Sequence, residues 1–186
     1  METGDFTGFV TRLFSGEKPF EGLRDELWAW QREHNPTLRA YCEALGRREL
    51  TYLPMEFFKH FAVQTAPAWT AAFCFESSGT TGQEPSRHFV RDPDLYRESA
   101  IQGFFHFFPE KNYRILALLP SYLERQNASL VHMGQVWIHT FGRPGSGFYL
   151  HDFEALAAAI RDAGEAGEQV LLIGVSFALL DFAAFS

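Results

Sequence analysis

Ile115-Leu116-Ala117-Leu118-Leu119 is an unbroken apolar run closed by Pro120, and no other feature of the chain restricts its fold as much. A strand that alternates apolar and polar residues needs cover on one face only; a continuous run reads as a strand covered on both, as in parallel sheets flanked by helices. Val170-Leu171-Leu172-Ile173-Gly174 reads the same way. Between and around these runs lie helix-spaced apolar sets. Ile101, Phe104, Phe105 and Phe108 mark one helix, opened by Asp92 as N-cap and Pro93 in its first turn, and Phe153, Leu156, Ala157 and Ile160 mark another, capped by Asp152. A helix over 129 to about 136, a strand over 137–141 and a turn over 143–147 complete the pattern. Strands alternating with amphipathic helices predict an α/β fold with a mostly parallel sheet.

The first third of the chain has a different grammar. Phe6, Phe9, Val10 and Leu13, then Phe20, Leu23, Leu27 and Trp30, then Leu38, Tyr41, Cys42 and Leu45 repeat at helical spacing, with Gly46 as a C-terminal cap. Pro54 can open a further short helix through Phe57, Phe58 and Phe61. The pattern changes after Pro67, so residues 1–66 are expected to form a helical segment and 67–186 an α/β subdomain. An apolar helix from Phe177 to Phe185 runs to Ser186 without a polar end. The expectation is that a missing C-terminal portion or a partner covers it.

Hydrophobic residues make up 46% of the chain and charged residues 21%, enough for a packed core and too apolar for disorder. A net charge of -7 without a basic block speaks against a nucleic-acid surface. No apolar stretch is long enough to span a bilayer and the start lacks a signal-peptide layout, so a cytoplasmic location is expected. Cys42 and Cys74 form no CxxC pair and read as core residues. The seven histidines show no metal-ligand spacing with cysteine, so no metal site is assigned to side chains.

Chemistry is concentrated in residues 77–82, Ser-Ser-Gly-Thr-Thr-Gly, hung between the apolar strand 71–75 and a second strand, Arg87-His88-Phe89-Val90. Two glycines let the backbone approach a ligand and turn successive N–H groups inward as an anion nest. The hydroxyls of Ser77, Ser78, Thr80 and Thr81 add small donors. By composition alone such a loop is more often a surface turn than a ligand loop, and it is not a Walker A sequence, since no Gly-Lys-Ser/Thr follows.

The order of the residues adds more. Ser77-Ser78-Gly79-Thr80-Thr81-Gly82, followed by Pro85, resembles the phosphate loop of the adenylate-forming superfamily of acyl-CoA synthetases, luciferases and adenylation domains. Within it the chain is most similar to acyl-protein synthetases, the fatty-acid-activating ligases of bacterial bioluminescence. The similarity covers residues 50 to 182 and includes the approach segment Leu53-Pro54-Met55-Glu56-Phe57-Phe58-Lys59, Pro85-Ser86-Arg87-His88, and Leu118-Leu119-Pro120-Ser121-Tyr122-Leu123-Glu124-Arg125. The resemblance implies an incomplete N-terminal domain of the adenylate-forming fold. It also implies binding of ATP and Mg²⁺, attack of a fatty or aryl carboxylate on the α-phosphorus, and transfer of the acyl group to a thiol on a protein or on CoA. Ser77, Ser78, Gly79, Thr80, Thr81 and Gly82 would hold the departing phosphates, with Arg87 as a catalytic cation. Ser121, Tyr122 and Arg125, past the end of a strand, would face the acid.

The departures are equally definite. Ser86 and Arg87 stand where most of the superfamily has a lysine after the proline, and the aromatic-Gly-x-x-Glu motif, the ribose-binding aspartate and the lid lysine are not found. Neither cysteine occupies an acyl-acceptor position. Two alternatives therefore accompany the ligase: a non-catalytic nucleotide- or partner-binding remnant, and a CoA ligase resembling phenylacetate-CoA ligase. His132 lies near a substrate-side histidine of the superfamily but reads as a core or surface residue. Gly174-Val175-Ser176-Phe177-Ala178 lacks the second glycine of a nucleophile elbow.

Overall fold

The structure, a computed structural model, describes residues 3–16, 19–65, 69–77, 84–108, 113–120 and 127–185. The chain divides into two compact units, Met1–Arg91 and Asp92–Ser186. This division falls later than the change of pattern at Pro67, because the strands on either side of residues 77–82 pair with each other.

In the first unit, α1 (Thr3–Ser15), α2 (Phe20–His34), α3 (Pro36–Ala44) and α4 (Phe57–His60) precede a hairpin of β1 (Phe73–Glu76) and β2 (Arg87–Val90). Phe9, Leu23, Leu38 and Cys42 are its buried apolar residues among the helices, as their spacing predicts. Asn35 separates α2 from α3. Its Oδ1 accepts the Leu38 N–H at 3.1 Å while Pro36 occupies the first turn, so one residue ends a helix and caps the next. After α3 the chain turns at Gly46, whose φ of +64° suits a residue without Cβ.

The second unit runs α5 (Pro93–Phe107), β3 (Tyr113–Leu118), α6 (Ser129–Phe141), β4 (Gly147–Phe148), α7 (Phe153–Glu165), β5 (Gln169–Gly174) and α8 (Ser176–Phe185). Its sheet is parallel, in the order β4-β3-β5, with β3 and β5 in register from Tyr113 opposite Gln169 to Leu118 opposite Gly174. The apolar run lies in the middle. Leu116 and Leu118 pack with Leu156, Ala159, Ala178 and Phe182 of α7 and α8. Ile115 packs with Phe104 and Phe141 of α5 and α6, and Ala117 and Leu119 pack with Val131 of α6. Cover on both faces is what the sequence pattern requires, and the fold is α/β. Asp92 and Asp152 both cap their helices, accepting from Asp94 and Leu95 N–H and from Ala155 N–H.

Two local expectations fail. Residues 137–141 are the last turn and a half of α6, not a strand. The alternation of Trp137, His139 and Phe141 suggests a strand, but Gly134, Trp137, Ile138 and Phe141 also fit a helical face. Packing decides for the helix: Phe141 stacks on Phe104 with centroids 4.5 Å apart, and Trp137 Nε1 donates to the Ala100 carbonyl at 2.9 Å. Gly147, read as part of a turn, begins the short strand β4 opposite Leu116.

Candidate functional site

β1 and β2 pair antiparallel, Phe73 opposite Val90, Cys74 opposite Phe89, Phe75 opposite His88 and Glu76 opposite Arg87. Ser77 and Ser86 continue the ladder by one step and close the neck of the loop. The Ser77 N–H donates to the Ser86 carbonyl at 3.0 Å, and the Ser86 N–H donates to Ser77 Oγ at 2.9 Å. A side-chain oxygen thus takes the place of a backbone carbonyl in the last rung. A hydroxyl that accepts one N–H keeps its own hydrogen to donate, and Ser77 is exposed.

Strand alternation assigns the faces. Phe75, Ser86 and His88 share the inner face, where Phe75 and Ser86 are buried. His88 lies on Phe58 of α4, with centroids 4.6 Å apart and planes 22° from parallel, and its Nε2 is 3.4 Å from Ser86 Oγ. The helix in the segment before the loop is therefore packed beneath the strand that leaves it. Cys74, Glu76, Arg87 and Phe89 share the outer face. Cys74, read from the sequence as a core residue, is only half-buried here because its strand is covered on one face. Burial still pushes its thiol above the ordinary range, with the Glu76 carboxylate adding to the effect, so it is a poor nucleophile. Arg87 is exposed, and its guanidinium lies 5.9 Å from the centre of the Phe89 ring, turned along the strand away from the loop.

Of the residues singled out by sequence, Ser77 and Arg87 belong to this hairpin; Ser78, Gly79, Thr80, Thr81, Gly82, Ser121, Tyr122 and Arg125 lie outside the described residues. His132, on α6, makes an edge contact with Tyr96 at 5.4 Å. Among the described residues no group of three or more His, Cys, Asp or Glu side chains is placed to hold a metal ion, and no helix is long and apolar enough to cross a membrane. Sequence reasoning did not single out the Ser77, Ser86 and His88 contacts as a unit. The signal was the period of two, which puts Ser86 and His88 on the face of Phe75.

Burial lowers the His88 pKa below the ordinary histidine range. The unfolded chain then takes up its proton at a higher pH than the folded one. The contribution of His88 to stability is whole above the ordinary range and is lost as pH falls through the folded pKa. Between about pH 7.5 and about pH 5.5, the urea midpoint of the native chain is expected to drop further than that of His88→Phe, which keeps a ring against Phe58. Equal drops would show that His88 is solvated.

Comparison with family models, with curated proteins and with solved structures returned no match to this chain.

Proposed function

We propose that residues 77–82 grip the polyphosphate of ATP·Mg²⁺, and that the chain is the nucleotide-binding part of an ATP-dependent ligase. The ligase activates a fatty or aryl carboxylic acid as an acyl-adenylate and passes it to a thiol, like the acyl-protein synthetases it resembles. The observation that carries the reading is the neck: a Ser-Ser-Gly-Thr-Thr-Gly loop held between paired strands, whose first hydroxyl is anchored by the Ser86 N–H. Anchoring matters because phosphate binding through small donors depends on a preset backbone, with little rearrangement left for the ligand to drive.

The described residues suit a polyphosphate in two ways. Ser77 offers an exposed O–H beside the loop. Arg87 offers a guanidinium whose present contact with Phe89 is worth only about 0.5–1 kcal/mol at an exposed site. A charge-assisted bond to a phosphate oxygen is stronger, so a change of rotamer toward the loop is favourable once phosphate is present. ATP supplies the leaving group and Mg²⁺ arrives on its phosphates; this chain's part is to bind and orient them.

Thr80→Val with Thr81→Val tests the reading while preserving side-chain shape. Hydrogen bonds to charged groups contribute about 1.5–3 kcal/mol each, so loss of two donors is expected to weaken Mg·ATP binding by more than about tenfold in calorimetric titration. Unchanged affinity would reduce the loop to a surface turn. With the acid supplied, label transferred from radioactive acid to protein or to CoA identifies the acceptor.

A further inference from the structure

The helical part of the first unit frames an open cavity of about 470 Å³, and its wall includes Phe58, the residue beneath His88 of the hairpin. Phe9 and Leu13 of α1, Leu23 and Leu27 of α2, Leu38 of α3 and Phe58 of α4 contribute its apolar wall. The volume falls within the range of small-molecule sites, which are concave, mostly apolar and furnished with a few fixed polar groups. The cavity opens to solvent, so its apolar wall is wetted when nothing is bound.

The polar groups in the wall are largely engaged with one another. Asn35 Oδ1 accepts from Leu38 N–H, Thr51 Oγ1 donates to the Glu49 carbonyl, and Trp28 Nε1 donates to the Thr51 carbonyl at 3.0 Å. Arg24, at the same cavity, directs Nε and a terminal nitrogen to Asp25 Oδ1, both at 2.8 Å, in a solvent-exposed pair without net charge. What faces the space is mostly hydrocarbon, and Gln31 adds an amide able to meet one neutral polar group. Leu13, Phe20 and Tyr52 also line the cavity and stand 40%, 68% and 68% exposed. Large side chains gathered in water around one opening mark a binding site more often than scattered ones do.

We propose that this cavity binds a neutral, largely hydrocarbon small molecule carrying at most one uncharged polar group. Binding releases water from the apolar wall and covers the three exposed side chains at the opening. The proposal does not depend on the phosphate loop.

N-phenyl-1-naphthylamine, a neutral dye that fluoresces in apolar sites, tests it on the full chain. Saturable uptake of one dye per chain is expected, displaced by 1-decanol and not by Mg·ATP. Val63→Phe, which fills the cavity from its wall, should weaken dye binding by at least about tenfold, with the circular dichroism unchanged. Phe20→Ser, at an exposed position that folding does not need, should weaken it severalfold. Non-saturable uptake, or uptake untouched by either variant, overturns the proposal. Displacement by decanoate alone overturns the neutral class. Concentration-dependent dimerisation without dye uptake would assign the opening to a second copy and overturn it as well.

Discussion

Glu168→Ala is expected to destabilise the second unit by about 3 kcal/mol, since removing one partner of a buried ion pair typically costs about 3–5 kcal/mol. Glu168 stands just before β5, and Arg114 is the second residue of β3. The Arg114 guanidinium reaches Glu168 Oε2 through Nε at 2.8 Å and through a terminal nitrogen at 2.6 Å, and both side chains are only 13% exposed. Without the carboxylate, a largely buried cation keeps a single 3.3 Å bond, to the Ala159 carbonyl. Gly145 lies against the same guanidinium, so the group has little room to turn toward water. Arg143 also meets Glu168, at 3.3 Å, but is 42% exposed; a pair half in water contributes about 0–1 kcal/mol. Arg143→Ala is therefore the control. Urea unfolding at neutral pH should separate the two variants by about 2 kcal/mol. A loss for Glu168→Ala as small as that for Arg143→Ala would mean that water already screens Arg114.

This ion pair joins residues that no local pattern connects, and it marks the boundary of what the sequence makes legible. Strands and helices whose apolar residues repeat at their own period were readable: β3 from its continuous run, α5 from Ile101, Phe104, Phe105 and Phe108, α3 from its stripe ending at Gly46. Caps were readable because Asp92 and Asp152 act within three residues of themselves. Residues 137–141 were not, since aromatic and β-branched side chains suit a strand or a buried helix equally. The choice was made by Phe104 and Ala100, far away in sequence. The hairpin was legible as strand, loop and strand. Its neck was only half so: alternation puts Ser86 and His88 on one face, but nothing local places Phe58 under His88. The helical cavity was not legible at all. Periodicity identifies apolar residues and is silent on whether they meet or leave a space between them.

The proposed phosphate loop is a local feature of the chain, six consecutive small residues between two apolar segments. The neck bonds between Ser77 and Ser86 supply what composition cannot, a loop with fixed ends. Ser121, Tyr122 and Arg125, which the resemblance alone assigns to the acid, lie outside the described residues, and their mutation belongs after the loop variants, once Mg·ATP binding is measured.

Phe104→Ala is expected to have the largest effect of any single change in the second unit, about 3–5 kcal/mol. Phe104 is 1% exposed and stands where α5, α6 and β3 meet. Its ring stacks on Phe141 at 4.5 Å and meets Trp137 at 5.2 Å, Phe108 at 5.2 Å and Tyr113 at 5.8 Å. Truncation removes the buried surface of a phenyl ring together with these ring-ring contacts, and the surrounding aromatics are too rigid to close the gap. Phe104→Leu should recover part of the loss by filling some of the volume. Phe107→Ala supplies the contrast on the same helix: the side chain is 75% exposed, and a change there should stay within about 0.5 kcal/mol. The urea midpoint checks all three, and near-ultraviolet dichroism should report the disturbed Trp137 in Phe104→Ala alone. If Phe104→Ala and Phe107→Ala unfold at the same urea concentration, the aromatic cluster does not hold α5 against β3 and α6. The assignment of that face as core would then be wrong.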